Sequence, residues 1–86
     1  MPYITKEERD NKDKFLRLFW KWGIGSVGEF NYILAELEKV FIIEHGECYK
    51  TYNDLIGVLE CNKLELYRRK ITKYEDTKID ANGDVF

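Results

Sequence analysis

Six cations lie between Lys63 and Lys78, namely Lys63, Arg68, Arg69, Lys70, Lys73 and Lys78, against Glu65, Glu75 and Asp76. Tyr67 and Tyr74 are interleaved among them. An arginine fork matches the oxygens of a phosphate, and a tyrosine ring stacks on a base. This composition therefore suits a nucleotide or a short nucleic acid, with Arg68, Arg69 and Lys73 on phosphate and Tyr67 or Tyr74 on the base. A solvated helix end explains the same residues, because the dipole favours cations over the last turns. A third account has Tyr74, Glu75 and Asp76 pinning the end of the chain against Arg68 or Arg69.

Other chemistry is thin. His45, Cys48 and Cys61 make a His-x-x-Cys with a remote cysteine, one ligand short of a structural zinc site. A Cys61 buried in a helix and a Cys48 in a loop account for both thiols. Asp80-Ala81-Asn82-Gly83-Asp84 is reminiscent of a calcium loop, but its glycine stands at the wrong position. Neither a metal nor a cofactor is expected. His45 beside Gly46 suits a dipole partner in a last helical turn better than a general base. The G-x-S-x-G, P-loop and H-E-x-x-H patterns are missing, and Glu60 and Glu65 are placed to pair with Lys63 at i+3 and Arg69 at i+4. No catalytic residue is assigned, and an enzyme is not expected.

The elements that carry these residues follow from periodicity. Thr5-Lys6-Glu7-Glu8 has the form of a capping box, and Phe15, Leu18, Phe19 and Trp22 then share one helical face before Gly23 and Gly25. Ser26-Val27-Gly28-Glu29 opens a second helix with Phe30, Ile33, Leu34, Leu37 and Phe41 in its stripe, ended by His45-Gly46. Thr51-Tyr52-Asn53-Asp54 opens a third, striped by Leu55, Val58, Leu59, Asn62 and Leu66, with close helix packing expected at Gly57. After Tyr74 the period is lost, Asn82-Gly83 signals a turn, and Val85-Phe86 is placed to fold back onto the body. The expected fold is all-α: one small three-helix domain, with helices about 6–22, 27–45 and 52–73 and an irregular tail over 74–86.

Size and charge narrow the class. The chain has 86 residues, 44% hydrophobic and 35% charged, with one proline and six glycines, which fits one small globular domain and excludes disordered or collagen-like chains. A domain this small has a marginal core. Net charge is -2, so no global field draws it to nucleic acid or to an anionic membrane. No apolar run approaches the ~20 residues of a membrane span, and the charged first residues lack a signal-peptide pattern. Two cysteines are too few for a disulfide framework, so an intracellular, cytoplasmic protein is expected. Leu16, Trp20, Tyr32, Ala35, Ile42 and Ile43 fall off the main stripes, more apolar surface than one small bundle hides. A homo-oligomer is expected, with Trp20, Tyr32 and Ile43 at its interface.

The stretch from Ile56 through Gly57-Val58-Leu59-Glu60-Cys61-Asn62-Lys63-Leu64-Glu65-Leu66-Tyr67-Arg68-Arg69 resembles a family of short proteins without an assigned activity. Tyr74-Glu75-Asp76-Thr77-Lys78-Ile79 and Asn82-Gly83-Asp84-Val85-Phe86 carry the same resemblance, as do Met1-Pro2-Tyr3-Ile4 and Phe30-Asn31-Tyr32-Ile33. Little of it lies between Lys12 and Gly28. Such proteins are encoded mainly by tailed bacteriophages and in viral metagenomes, which implies a viral protein of the host cytoplasm and no catalytic residues. Small phage proteins of this kind commonly act by binding. The leading expectation is a counter-defence protein that sequesters a nucleotide-type immune signal at an oligomer interface. The alternatives are an inhibitor or adaptor of a host defence protein, and a virion or replication accessory without a ligand. Direct nucleic-acid binding ranks below all three.

Overall fold

Thr5 starts the first helix. Its Oγ1 accepts the Glu8 backbone N–H at 3.1 Å, and its hydroxyl donates to Glu8 Oε1 at 3.2 Å. Ser26 starts the second in the same way, its Oγ accepting the Glu29 N–H at 3.0 Å. Each cap satisfies an amide that the first helical turn would leave unpaired. In the computed structural model, which describes residues 4–86, helix α1 runs Lys6–Trp22 and α2 Val27–His45. Met1, Pro2 and Tyr3, counted in the family resemblance, lie outside the described residues. Helix α3 runs Tyr49–Leu66, a π-helical turn follows over Tyr67–Ile71, and α4 runs Thr72–Asn82.

Among the described residues there are no strands. α3, the π turn and α4 form one unbroken run, since Tyr67, Ile71 and Thr72 all keep right-handed helical angles. The fold is thus a small all-α domain of three helices with a short irregular end. Glycines terminate all three: Gly23, Gly46 and Gly83 have φ of 76°, 89° and 87°. Their N–H groups close the last turns on Phe19 O, Ile42 O and Ile79 O at 2.7, 2.8 and 2.8 Å. A residue with a Cβ enters that left-handed region only at a steric cost. By compactness the chain divides into two units, Met1–Leu37 and Glu38–Phe86, with the boundary inside α2.

The third helix departs from the sequence reading at both ends. It begins at Tyr49, behind an extended Cys48 (φ -153°), because Cys48 rather than Thr51 is its cap residue. It ends at Asn82 rather than near 73, so the irregular tail shrinks to 83–86. The missed stretch has a physical cause. Thr72 N–H donates to Tyr67 O, five residues back, so the chain spends one residue more on this turn than an α-helix does. One extra residue sets the downstream helix back by about 100°. Ile71, Tyr74 and Lys78 thereby return to the face of Leu55, Leu59 and Leu66. A period of 3.6 applied straight through Tyr67 loses them.

No apolar side chain is buried among the described residues; Thr51, 4% exposed, is the one buried side chain. Ile33, Leu34, Phe41 and Ile42 on α2, and Leu55, Leu59 and Ile71 beyond it, are half-buried. Three local expectations are corrected. A Cβ built at Gly57 meets no atom within 4 Å, so no helix packs closely there. Cys61 is exposed, on the side of α3 away from the Leu55 stripe. Val85 and Phe86 are exposed instead of folded back, because Gly83 ends the helix and the Phe86 N–H turns locally onto Asp84 Oδ1 at 2.9 Å.

Candidate functional site

The π turn carries the basic segment. Helical spacing sets residues i+3 and i+4 over residue i, and Glu65 uses both. Its Oε2 holds Arg68 Nη2 at 2.5 Å and its Oε1 holds Arg69 Nε at 2.6 Å. Glu65 is half-buried while both guanidiniums stay largely exposed. One carboxylate thus orders two arginines, and each keeps further N–H donors for an outside acceptor. The tail-pinning account is corrected here: the partner of both arginines is Glu65, upstream, within one turn of helix. Lys63 pairs with Glu60 at 2.9 Å, which holds its pKa above the ordinary lysine value.

Tyr67 is exposed within the π turn. Lys73 is exposed in the first turn of α4, its carbonyl accepting the Thr77 hydroxyl at 3.0 Å. Tyr74 is exposed, with Lys78 Nζ 5.5 Å from its ring centroid. Arg68 and Arg69 are therefore brought together by Glu65, while Tyr74 sits on the stripe that the π turn realigns. A groove of about 350 Å³ runs along Glu75, Lys78, Ile79 and Asn82 to Phe86. Another, of about 300 Å³, is lined by Phe19, Trp20, Gly23 and Ile24.

The expected interface residues are all open to solvent: Trp20 is 87% exposed, Tyr32 65% and Ile43 81%. Trp20 and Tyr32 belong to the first unit and Ile43 to the second. Trp20 walls the second groove, at the Gly23 end of α1.

The junction between α2 and α3 was not singled out by the sequence. Thr51 Oγ1 donates to His45 O at 3.4 Å and lies 3.4 Å from Cys48 Sγ. The Thr51 hydroxyl, followed by the Thr51 amide, holds the Cys48 thiol below its ordinary pKa. The available signal was Cys48 itself, three residues ahead of Thr51 at a helix start, where a thiolate is favoured. Lys50, one residue after Tyr49, pairs with Asp54 at 2.7 Å, which raises its pKa. Among the described residues no group of three His, Cys, Asp or Glu side chains is placed to hold a metal ion. No helix among them is long and apolar enough to cross a membrane.

These elements define a small all-α domain that carries an arginine pair on a π turn. The chain belongs to the family described as a domain of unknown function (DUF6899), whose model matches residues 1–85. No curated protein and no solved structure matches it.

Proposed function

We propose that the chain is a non-enzymatic binding protein that acts through contact with other protein surfaces: further copies of itself and a host protein. The observation that carries this reading is that no apolar side chain among the described residues is buried. Apolar burial is the dominant favourable term in folding and in most protein association. A soluble monomer rarely exposes a contiguous apolar patch beyond a few hundred Å². Helices this bare call for a covering surface. Tryptophan and tyrosine are the usual anchors of such surfaces, so Trp20 and Tyr32 in the first unit, and separately Ile43 in the second, are assigned to such contacts. The resemblance to phage-encoded proteins supports a counter-defence role in the host cytoplasm, with a host defence protein as the partner.

A second reading is sequestration of a nucleotide-type immune signal at an oligomer interface by Arg68, Arg69, Tyr67, Lys73 and Tyr74. The π turn favours it, since such turns recur at functional sites. It ranks second because part of each guanidinium is already committed to Glu65. Native mass spectrometry of protein taken from cells with active phage defence tests both, with Trp20→Ala and Arg68→Ala/Arg69→Ala alongside. A retained protein partner that is lost in Trp20→Ala supports the first reading. A nucleotide-sized species released on heating, and lost in the arginine double variant, replaces it with the second. A species free of both refutes the two together.

A further inference from the structure

The apolar stripe of α1 is bare. Phe15, Leu18, Phe19 and Trp22 stand at i, i+3, i+4 and i+7, one face of the helix. All four are exposed, Phe15 at 56% and Trp22 at 78%. Within the first unit, α1 and the first half of α2 do not pack against each other among the described residues, so α2 does not cover this face there. Lysines border it on both sides. Helical spacing sets Lys14 and Lys21 along the Leu18 edge and Lys12 along the Phe19 edge. The ammoniums of Lys12 and Lys14 lie 5.9 and 5.5 Å from the Phe15 ring centroid, and that of Lys21 lies 5.7 Å from the Trp22 ring centroid. Such distances are near the outer limit of about 6 Å for cation–ring contacts, and both rings stay open to an outside group.

Charge along α1 is segregated as well. Residues 6–13 hold Lys6, Arg9 and Lys12 against Glu7, Glu8, Asp10 and Asp13. From Lys14 to Gly28 the charged residues are Lys14, Arg17 and Lys21, with no carboxylate. The whole-chain charge of -2 averages this positive stretch away.

We infer that this stripe of α1 lies on anionic lipid surfaces, its rings and Leu18 among headgroups and upper acyl chains, and Lys12, Lys14 and Lys21 on the lipid anions. A helix with Trp, Phe and Leu on one face and cations beside it suits the boundary layer of a bilayer, where it sinks about 5–10 Å without crossing. Lysine stems follow the apolar face while their ammoniums stay at the headgroups. The face is convex, so a protein partner needs a groove shaped to it, whereas a headgroup layer yields to it anywhere. A stacking base needs the ring faces, over which the ammoniums stand; acyl chains take ring edges as readily. The inference goes beyond the protein-contact reading, since Trp20 lies off this stripe and stays with that reading.

The test uses the full chain with vesicles of phosphatidylcholine, alone or mixed with phosphatidylserine. Trp20→Phe leaves Trp22 as the one tryptophan. Its emission is expected to shift to the blue on the mixed vesicles, and the protein to sediment with them but not with phosphatidylcholine alone. Failure to sediment with the mixed vesicles overturns the inference, as does equal binding to both kinds or binding without a Trp22 shift. Phe15→Ser with Leu18→Ser is expected to abolish binding. Should that variant unfold, Lys14→Gln with Lys21→Gln decides. It is expected to weaken binding about 25-fold, at roughly fivefold per lysine near an anionic surface, and an unchanged affinity overturns the inference. A wild-type chain that ignores the vesicles, while the serine variant loses a retained host protein, also overturns it and gives the stripe to that protein. A chain that binds the vesicles but retains no host protein supports it and defeats only the protein-contact reading.

Discussion

Thr51→Val removes one hydroxyl and keeps the branched shape, so it isolates what that oxygen does at the junction of α2 and α3. Thr51 is 4% exposed, which leaves water no ready access to replace the lost partner. Its two contacts, to His45 O and Cys48 Sγ, are both 3.4 Å long. Hydroxyl hydrogen bonds to oxygen are commonest near 2.7–2.8 Å, so the His45 bond is a long one and belongs at the low end of the usual range, about 0.5 kcal/mol. Allowing the same for the thiol contact, the expected loss is about 1 kcal/mol. For a chain of this size that lowers the melting temperature by about 4–8 °C. A second readout is chemical. With Cys61→Ser as background, alkylation by iodoacetamide reports Cys48 alone. The Thr51 hydroxyl is the leading cause of the lowered Cys48 pKa, so its removal moves the pKa upward. The midpoint of the alkylation profile then rises in pH, and the rate at neutral pH falls. The sign for stability follows: a depressed thiol pKa contributes stability above the unfolded value, and that contribution is lost as pH falls through the folded one. An unchanged melting temperature with an unchanged alkylation profile would refute the reasoning.

Two further outcomes follow from local geometry. Ser26→Ala removes the acceptor of the Glu29 N–H and is expected to cost about 1 kcal/mol, read as a lower urea midpoint, with Ser26→Gly milder by several tenths. Deleting Lys70 removes the surplus residue of the π turn. The run is expected to close as a regular α-helix with Ile71, Tyr74 and Lys78 still on the Leu55 face, so helicity by circular dichroism is retained and the melting temperature does not fall. A drop of more than about 10 °C would show that the π turn does not hold the spare residue; about 2 kcal/mol would be at stake in a chain this size.

The helix starts at Thr5 and Ser26 were legible because a capping hydroxyl and a glutamate three residues on are local signals that survive without tertiary context. The glycine stops were legible for the same reason, and Asn82-Gly83 was seen as a turn although it is the last of those stops. What stayed hidden was phase. Nothing in Leu66-Tyr67-Arg68-Arg69-Lys70-Ile71 announces an i→i+5 turn, so the helix beyond it was read as a tail. The basic segment was visible as composition, and the pairing of Glu65 with Arg69 as spacing, but not that Arg68 shares the same carboxylate. Thr51 was noticed only as a helix start. Its burial depends on how His45, Gly46 and Glu47 lead into Cys48, and no periodicity encodes that path.

The double hold of Glu65 on Arg68 and Arg69 changes how the basic segment looks from a distance. With Lys63 matched by Glu60 as well, three of the six cations lie within 3 Å of a carboxylate oxygen. Beyond a Debye length, about 8 Å at physiological ionic strength, Glu60 cancels Lys63, while the single charge of Glu65 cancels only one of its two arginines. Lys70, Lys73 and Lys78 are then left to face Glu75 and Asp76. From Glu60 to Lys78 six cations face four carboxylates, so a polyanion approaching from solution meets a small residual positive field rather than that of six free cations. Whatever this segment recognises is chosen at contact range, by the shape of the guanidinium forks and the rings beside them.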